Sequence, residues 1–335
     1  MSWTVVPAQQ FAQHAARWQA LHAASAGSPL LAVEFVDALL GAFGSGAEQL
    51  AWFEQGGITY AMTLVTPTRL GMWETFQPAQ APVGLWLQRD AGAPVHVDSL
   101  LGALPGVALA LGLTQCDPML LARPADGGAL RTLDYIDTAR ITLASDFDTY
   151  WNERGKNLRS NLKKQRNRLR AEGVETRLEI LRAPHEMAAA VADYGRLETS
   201  GWKAAGGTAV AADNAQGRFY TSMLEAFCRR GAGSVYRYWI GDRLAAMDLC
   251  VEGGGCLVVL KTAYDEGIDK QFSPALLMRE EACRFLFDEA RFKRIEFYGR
   301  IMEWHTRWTQ EARTMYHLNR YRWPWLARLH ARGAK

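Results

Sequence analysis

The sequence is short of several things. Cysteine is sparse: five residues (116, 228, 250, 256, 283) among 335, none in CxxC spacing, and Cys250 and Cys256 have no histidine nearby. That excludes a disulfide framework and a zinc set, and the thiols are expected to be reduced, with no metal bound. No apolar run is long enough to cross a bilayer. The longest, Leu100 to Leu113, is interrupted by Pro105, and a spanning helix needs roughly 20 residues. The opening MSWTVVPAQQFAQHAARW has no basic start followed by an apolar stretch, so no signal peptide is expected and the expected compartment is the cytoplasm. There is no strong charge of one sign, the formal balance being +3, which gives no ground for a DNA-binding role. GxSxG, HExxH, Walker and GxGxxG patterns are all missing, which removes the motif-borne hydrolase, zincin, P-loop and dinucleotide readings.

What remains is an ordinary globular composition, 49% hydrophobic and 22% charged, with room for two domains. The 12 Trp are many; large aromatics imply big cores or a substrate groove. Charge is unevenly placed. Trp151 to Arg170 carries eight basic residues against Glu153 alone, so the rest of the chain is net negative. Leu158, Leu162 and Leu169 recur within it at helical spacing. Two readings stay open: a solvated helix face, or a basic wall (Arg159 and Lys163 within it) facing an anionic ligand. Gly173 is a plausible stop.

Beyond Gly173 the pattern is orderly. Residues 174–181 alternate as a strand, and Met187, Val191, Tyr194 and Leu197 form a helical face. After a glycine-rich loop at 201–207, Phe219, Met223 and Phe227 mark a second helix. Strand-like runs at 234–240, 244–252 and 256–264 are joined by Gly241-Asp242 and Gly253-Gly254-Gly255, which predicts an antiparallel meander. The loop DEGIDKQFS precedes a helix opening at Pro274, with Ser273 as N-cap. Strands follow at 294–299 and near 314–322. The first half reads as a looser version of the same order: a strand at 3–6, helices near 8–24 and 32–42, strands at 49–55, 57–65 and 69–76, then the Pro-rich connection 77–84. The tail 321–335 mixes Trp with Arg, as a membrane-surface segment would or simply as a basic terminal tail.

The most informative point is the junction of strand 256–264 with the helix at Pro274. A helix N-terminus presents unpaired amides and partial positive charge, which suits a phosphate. Lys270, Gln271 and Ser273 add side-chain donors. The ordinary alternative is a capped helix with no ligand.

The whole order resembles the GNAT acyltransferase fold: a mixed, mostly antiparallel α/β (α+β) sheet flanked by helices, here as two GNAT-like lobes. Within that fold, NLRSNLKKQRNRLRAEG (157–173), LETSGWKAAGG (197–207), AYDEGIDKQFSPALLM (263–278) and EFYGRIMEWHTRW (296–308) look like the CelD-like acetyltransferase branch associated with cellulose and exopolysaccharide biosynthesis. The resemblance implies a degenerate lobe at 1–145, an acyltransferase domain at 146–325 and a basic tail at 326–335. It implies acetyl-CoA or another acyl-CoA as cosubstrate, held by Lys270, Gln271, Phe272, Ser273, Pro274, Ala275 and Leu276. It also implies an amino-sugar or glycan-precursor acceptor and a link to polysaccharide synthase machinery. The glycines of the common GNAT loop are absent: Ala275 stands where a glycine often follows the proline, and His305 stands where relatives often carry lysine.

Acyl transfer to an amine needs a proton acceptor, a group that stabilises the thioester oxygen and a donor to the leaving thiolate. Glu198 is the first candidate base, with pairing to Lys203 as its structural alternative. Asp248 is the second, because a carboxylate sharing a strand face with Ala246 and Cys250 must be paired or functional. Tyr264 is the candidate proton donor. His305 is an alternative base. Trp202, Lys203, Arg307 and Trp308, with Arg159 and Lys163, are the candidate acceptor-binding residues. Two rivals stand beside this reading. One is a Fem-like transferase that draws its acyl group from aminoacyl-tRNA. The other is an inactive GNAT-like scaffold for polysaccharide synthesis.

Overall fold

The computed structural model describes residues 2–199, 210–211 and 213–333. The chain divides into two compact units, Met1–Thr138 with Arg313–Lys335, and Ala139–Ala312.

In the first unit, β1 (Ser2–Pro7) is followed by α1 (Phe11–Ala23) and α2 (Val33–Phe43), then by β2 (Gln49–Gln55), β3 (Ile58–Arg69) and β4 (Met72–Thr75). A short strand β5 (Trp86–Gln88) and helix α3 (Val97–Ala103) lead to β6 (Ala110–Cys116). The apolar run from Leu100 to Leu113 is thus a helix and a strand, broken at Pro105 as the ring demands. Strands β1 to β4 pair antiparallel, and β6 lies parallel to β4.

The second unit repeats this order. It takes in the end of β7 (Leu130–Thr142), the short helix α4 (Phe147–Asn152) and the basic helix α5 (Lys156–Ala171). Then come β8 (Thr176–Leu181), α6 (Met187–Thr199), α7 (Ala215–Arg229), β9 (Gly233–Ile240), β10 (Arg243–Gly253) and β11 (Cys256–Tyr264). Helix α8 (Pro274–Glu289), strand β12 (Arg294–Phe297) and the one-turn helix α9 (Glu303–Thr306) complete it. β8 to β11 are antiparallel neighbours and β12 is parallel to β11.

The expected elements of this half form where period and turn chemistry put them. Gly241, Gly254 and Gly255 adopt positive φ in the two hairpin turns. Gly173, at φ 69°, ends α5, and the Val174 amide bonds back to the Leu169 carbonyl. Leu158, Leu162 and Leu169 are the buried stripe of α5. They join α8 residues and the β-sheet in one core with Tyr236, Cys250, Val259 and Phe297.

The final strand is a difference from the sequence reading. β13 (Ala312–Tyr321), expected to close the second sheet, pairs antiparallel with β6 of the first unit. The second sheet is instead closed by Ala139–Thr142 of β7 against β12. Each sheet therefore takes its last strand from chain that follows the other block of sequence. The segment read as a basic tail is also structured: α10 (Pro324–Gly333) packs Leu326 and Ala327 against Ala110, Ala129 and Tyr321.

Candidate active site

β11 and β12 pair only over Cys256–Val259 and Arg294–Phe297. Beyond these residues β11 continues to Tyr264 while β12 ends at Phe297. Two parallel strands that part in this way leave backbone groups of β11 without a ladder partner. They also open a gap through the sheet.

A cleft of about 790 Å³ fills that gap. It is lined by Val259 to Thr262 and Tyr264 of β11, by Phe272 to Leu276 and Arg279 at the start of α8, and by residues from Phe297 to Trp308. The cleft reaches both faces of the sheet. Arg279 belongs to the α5 and α8 side, whereas Lys261 turns to α6 and α7, bonding Glu198 and lying 5.7 and 5.6 Å from the rings of Tyr194 and Tyr220.

The corresponding gap in the first unit is closed by its own chain. Gly84 bonds its amide to the Thr114 carbonyl, and a Cβ there would lie 2.4 Å from that oxygen and 2.4 Å from Thr75 Oγ1. Thr75 and Thr114 hydroxyls meet at 2.7 Å. Only about 10 Å³ of cavity is left. The Pro-rich connection thus plugs the first lobe, and only a glycine fits at the point of closest approach.

Each candidate residue now has a place. Glu198 is buried at the end of α6, bonded by Lys261 Nζ at 3.0 Å and by the Val210 amide at 2.9 Å. Its alternative partner Lys203, and Trp202, lie outside the described residues. Asp248 is buried and does not line the cleft. It accepts from Arg279 at 2.7 Å and from the Thr262 hydroxyl at 2.5 Å. Burial pushes its carboxyl up, and the Arg279 guanidinium pulls against that. Both of its partners do line the cleft, so Asp248 is joined to it only through them. Tyr264 is half-exposed in the cleft wall.

His305 lines the cleft but is buried, stacked on Trp304 at 3.5 Å. Its Nδ1 accepts the Met302 amide at 2.9 Å, so the neutral ring carries its proton on Nε2 and is a donor there. Burial, with Arg279 nearby, pushes its pKa down to about 4. That makes it a poor base near neutrality. It also sets a stability window. The unfolded histidine titrates near 6.5, so between pH ~6.5 and ~4 the unfolded chain binds more protons, and stability falls as pH drops through that range. We expect His305→Gln to flatten this part of a urea-midpoint profile. A wild-type profile already flat from pH 7 to 4 would contradict the assignment.

The α8 corner is open to the cleft, but fewer amides are free than the sequence suggested. The Gln271 and Phe272 amides bond Asp269, and the Ser273 amide bonds Gln165 of α5 at 2.9 Å. Ser273 makes no side-chain cap, contrary to its expected role. The Leu276 and Leu277 amides return to the Ser273 carbonyl. Ala275, second in the helix, has no carbonyl within the helix to bond. The corner thus offers the Ala275 amide, the Ser273 hydroxyl and the helix dipole. That suits one phosphate group better than an enclosed diphosphate. Lys270 and Gln271 do not line the cleft, whereas Phe272, Ser273, Pro274, Ala275 and Leu276 do.

Arg159 and Lys163 lie elsewhere. They share a groove of about 610 Å³ with Lys156, Asn167 and Arg170 of α5, Trp151 of α4 and Glu280 of α8. Arg307 stands at the cleft rim, paired to Glu303 at 2.7 Å. Trp308 is fully buried, stacked on Trp151; it walls the cleft and offers no stacking face. Sequence reasoning missed Lys261, Thr262 and Arg279. Lys261 had a legible signal, a lone cation in the apolar run CLVVLKTAY.

Comparison with known proteins agrees with the fold. The profile of the acetyltransferase (GNAT) domain family matches residues 156–306. The second unit has a GNAT fold. None of the curated proteins matches the chain by sequence. Among solved structures, one similar to it is the DUF2156 C-terminal domain of an Agrobacterium fabrum protein named as a lysylphosphatidylglycerol synthetase. It has 13% identity, 96% of each chain covered and a TM-score of 0.58. FemX is similar at 8% identity, over 98% of this chain and 99% of that one, with a TM-score of 0.57. L-PGS from Bacillus licheniformis is similar at 13% identity, over 95% and 96%, with a TM-score of 0.52. At these identities the likeness is one of fold. Among the described residues no helix is long and apolar enough to cross a membrane, and no group of three or more His, Cys, Asp or Glu could hold a metal ion.

Proposed function

We propose that the protein transfers an acyl group, acetyl as the first choice, from acyl-CoA to an amine. The observation that carries this reading is the open cleft through the sheet where β11 and β12 part. An extended arm entering from the α8 side can lie along the edge of β11 that β12 leaves beyond Val259, as an added strand would. An acceptor can approach from the α6 and α7 side. The residues present fit such a cosubstrate: Phe272 to Leu276 at its phosphate end, and Leu260 to Tyr264 along its arm. When bound, it supplies an acyl carbonyl activated as a thioester.

The chain's own groups supply the rest. Arg279, fixed by Asp248, and the Nε2–H of His305 border one stretch of cleft. There they are donors toward an oxygen that gains negative charge. Glu198, beside Lys261, is the proton acceptor for the amine. Tyr264 holds a proton for a leaving thiolate. From the resemblance to the CelD-like branch, the acceptor is an amino sugar or a glycan precursor, and Trp304 is the aromatic left to meet it.

Ser273→Glu tests the donor end. A carboxylate at the α8 corner should weaken acetyl-CoA binding at least about tenfold, ~1.4 kcal/mol, by calorimetry. Equal affinity in variant and wild type would remove the corner from the site.

A second reading has its own support. The amides of 271–273 are already bonded, and the α5 groove is rich in cations. A Fem-like donor, aminoacyl-tRNA, makes no use of a diphosphate loop and would lie along such a groove. Saturable acetyl-CoA uptake favours the first reading, and salt-sensitive tRNA binding without it favours the second.

A further inference from the structure

The first unit carries an exposed apolar surface that the acyl-transfer reading does not use. Leu70 is 97% exposed, Val107 67%, Leu329 55%, Trp325 53% and Trp323 43%. These are five of the ten large hydrophobic side chains most exposed in the described chain, and they come from three separate segments that meet. The Leu109 amide bonds the Gly71 carbonyl at 2.6 Å, which sets the Leu70 turn beside residues 107–109. The Arg322 amide bonds the Leu109 carbonyl, and its Nε bonds the Ala108 carbonyl. Trp323 follows directly and stacks on Trp325 at 5.9 Å.

The surface is built, not frayed. Leu326 and Ala327 anchor α10 to the unit's interior, while Trp325 and Leu329, four residues apart, share the outward face. The charges on these segments are of one sign: Arg69 and Arg328 are exposed, Arg322 is half-buried, and residues 66–72, 105–109 and 322–329 contain no Asp or Glu.

Tryptophan at an interface, flanked by leucine and arginine, matches the boundary of a bilayer: rings at headgroup level, apolar side chains below, guanidinium groups on phosphate. We infer that this face docks on an anionic lipid surface, so that the protein works as a peripheral membrane protein. The cationic rim decides against a neutral apolar partner, because basic residues beside an apolar face are attracted to an anionic leaflet.

Sedimentation of the full chain with phosphatidylcholine vesicles, with and without phosphatidylglycerol, tests this. Wild type should partition to the anionic vesicles and be released by salt. Trp325→Ser/Leu329→Ser should lower the partition at least about tenfold with an unchanged melting curve. Leu70→Ser, on a different segment and free of packing duties, should lower it independently. Arg69→Gln/Arg328→Gln should weaken binding only where phosphatidylglycerol is present. Wild type remaining in the supernatant, or variants that sediment like wild type, would overturn the proposal. So would a wild-type dimer that ignores vesicles and dissociates on Trp325→Ser/Leu329→Ser, since the face would then belong to a second copy.

Discussion

Asp248→Ala is expected to destabilise the protein by about 3–5 kcal/mol, because it strands a guanidinium in the interior. Asp248 and Arg279 side chains are 1% and 4% exposed and bond at 2.7 Å. Thr262 takes the other carboxylate oxygen. Removing the anion leaves Arg279 a long hydrogen bond to Thr262, at 3.4 Å, and the face of the Phe297 ring, 5.1 Å away. The pair as a whole is worth much less than its broken half costs, since both ions lost their hydration on folding. Asp248→Leu/Arg279→Met should therefore recover most of the loss. Urea unfolding of the three proteins measures this. The activity should not follow stability: the double variant, though stable, loses a cationic donor bordering the cleft and should remain impaired in acyl transfer. A single variant that loses under ~1 kcal/mol would mean that Arg279 swings out to water through the cleft.

That pair also shows how far the sequence could be read. Asp248 stood out as a carboxylate among small apolar residues on a central strand, and burial could be inferred from that. Its partner could not. Arg279 sits in a helix whose opening at Pro274 is legible, but nothing local tells which of its charged residues turns inward. The meander β9 to β11 was legible because period-two alternation and glycine turns are both local signals. The destination of β13 was not, because a strand's non-neighbouring partner depends on which sheet edge stands free once the rest has folded. The same limit hid the plug at Gly84, whose meaning rests on the approach of Thr114. Trp308 was visible as an aromatic near the site, yet only packing against Trp151 reveals that it is wall and not platform.

Glu198→Gln is expected to lower kcat by about 10²–10⁴-fold, the usual loss when a positioned base is removed. The local structure fixes this carboxylate in place. Lys261 Nζ and the Val210 amide each hold one oxygen. Lys261 lines the cleft and Glu198 stands behind it, so the carboxylate meets the acceptor side through the ammonium, which lies over the rings of Tyr194 and Tyr220. Burial, and then the neighbouring Glu198, raises both phenols, which keeps them neutral. Glutamine keeps the size and can still accept from one of the two donors, but takes no proton. The variant should fold, bind acetyl-CoA as wild type does and lose turnover. Lys261→Met supplies the second readout. Without the ammonium, the carboxylate loses the group that positions it, and kcat should fall while acetyl-CoA binding stays close to wild type. If Glu198 serves only to hold α6 to the sheet, Glu198→Gln will lower the melting temperature and spare kcat.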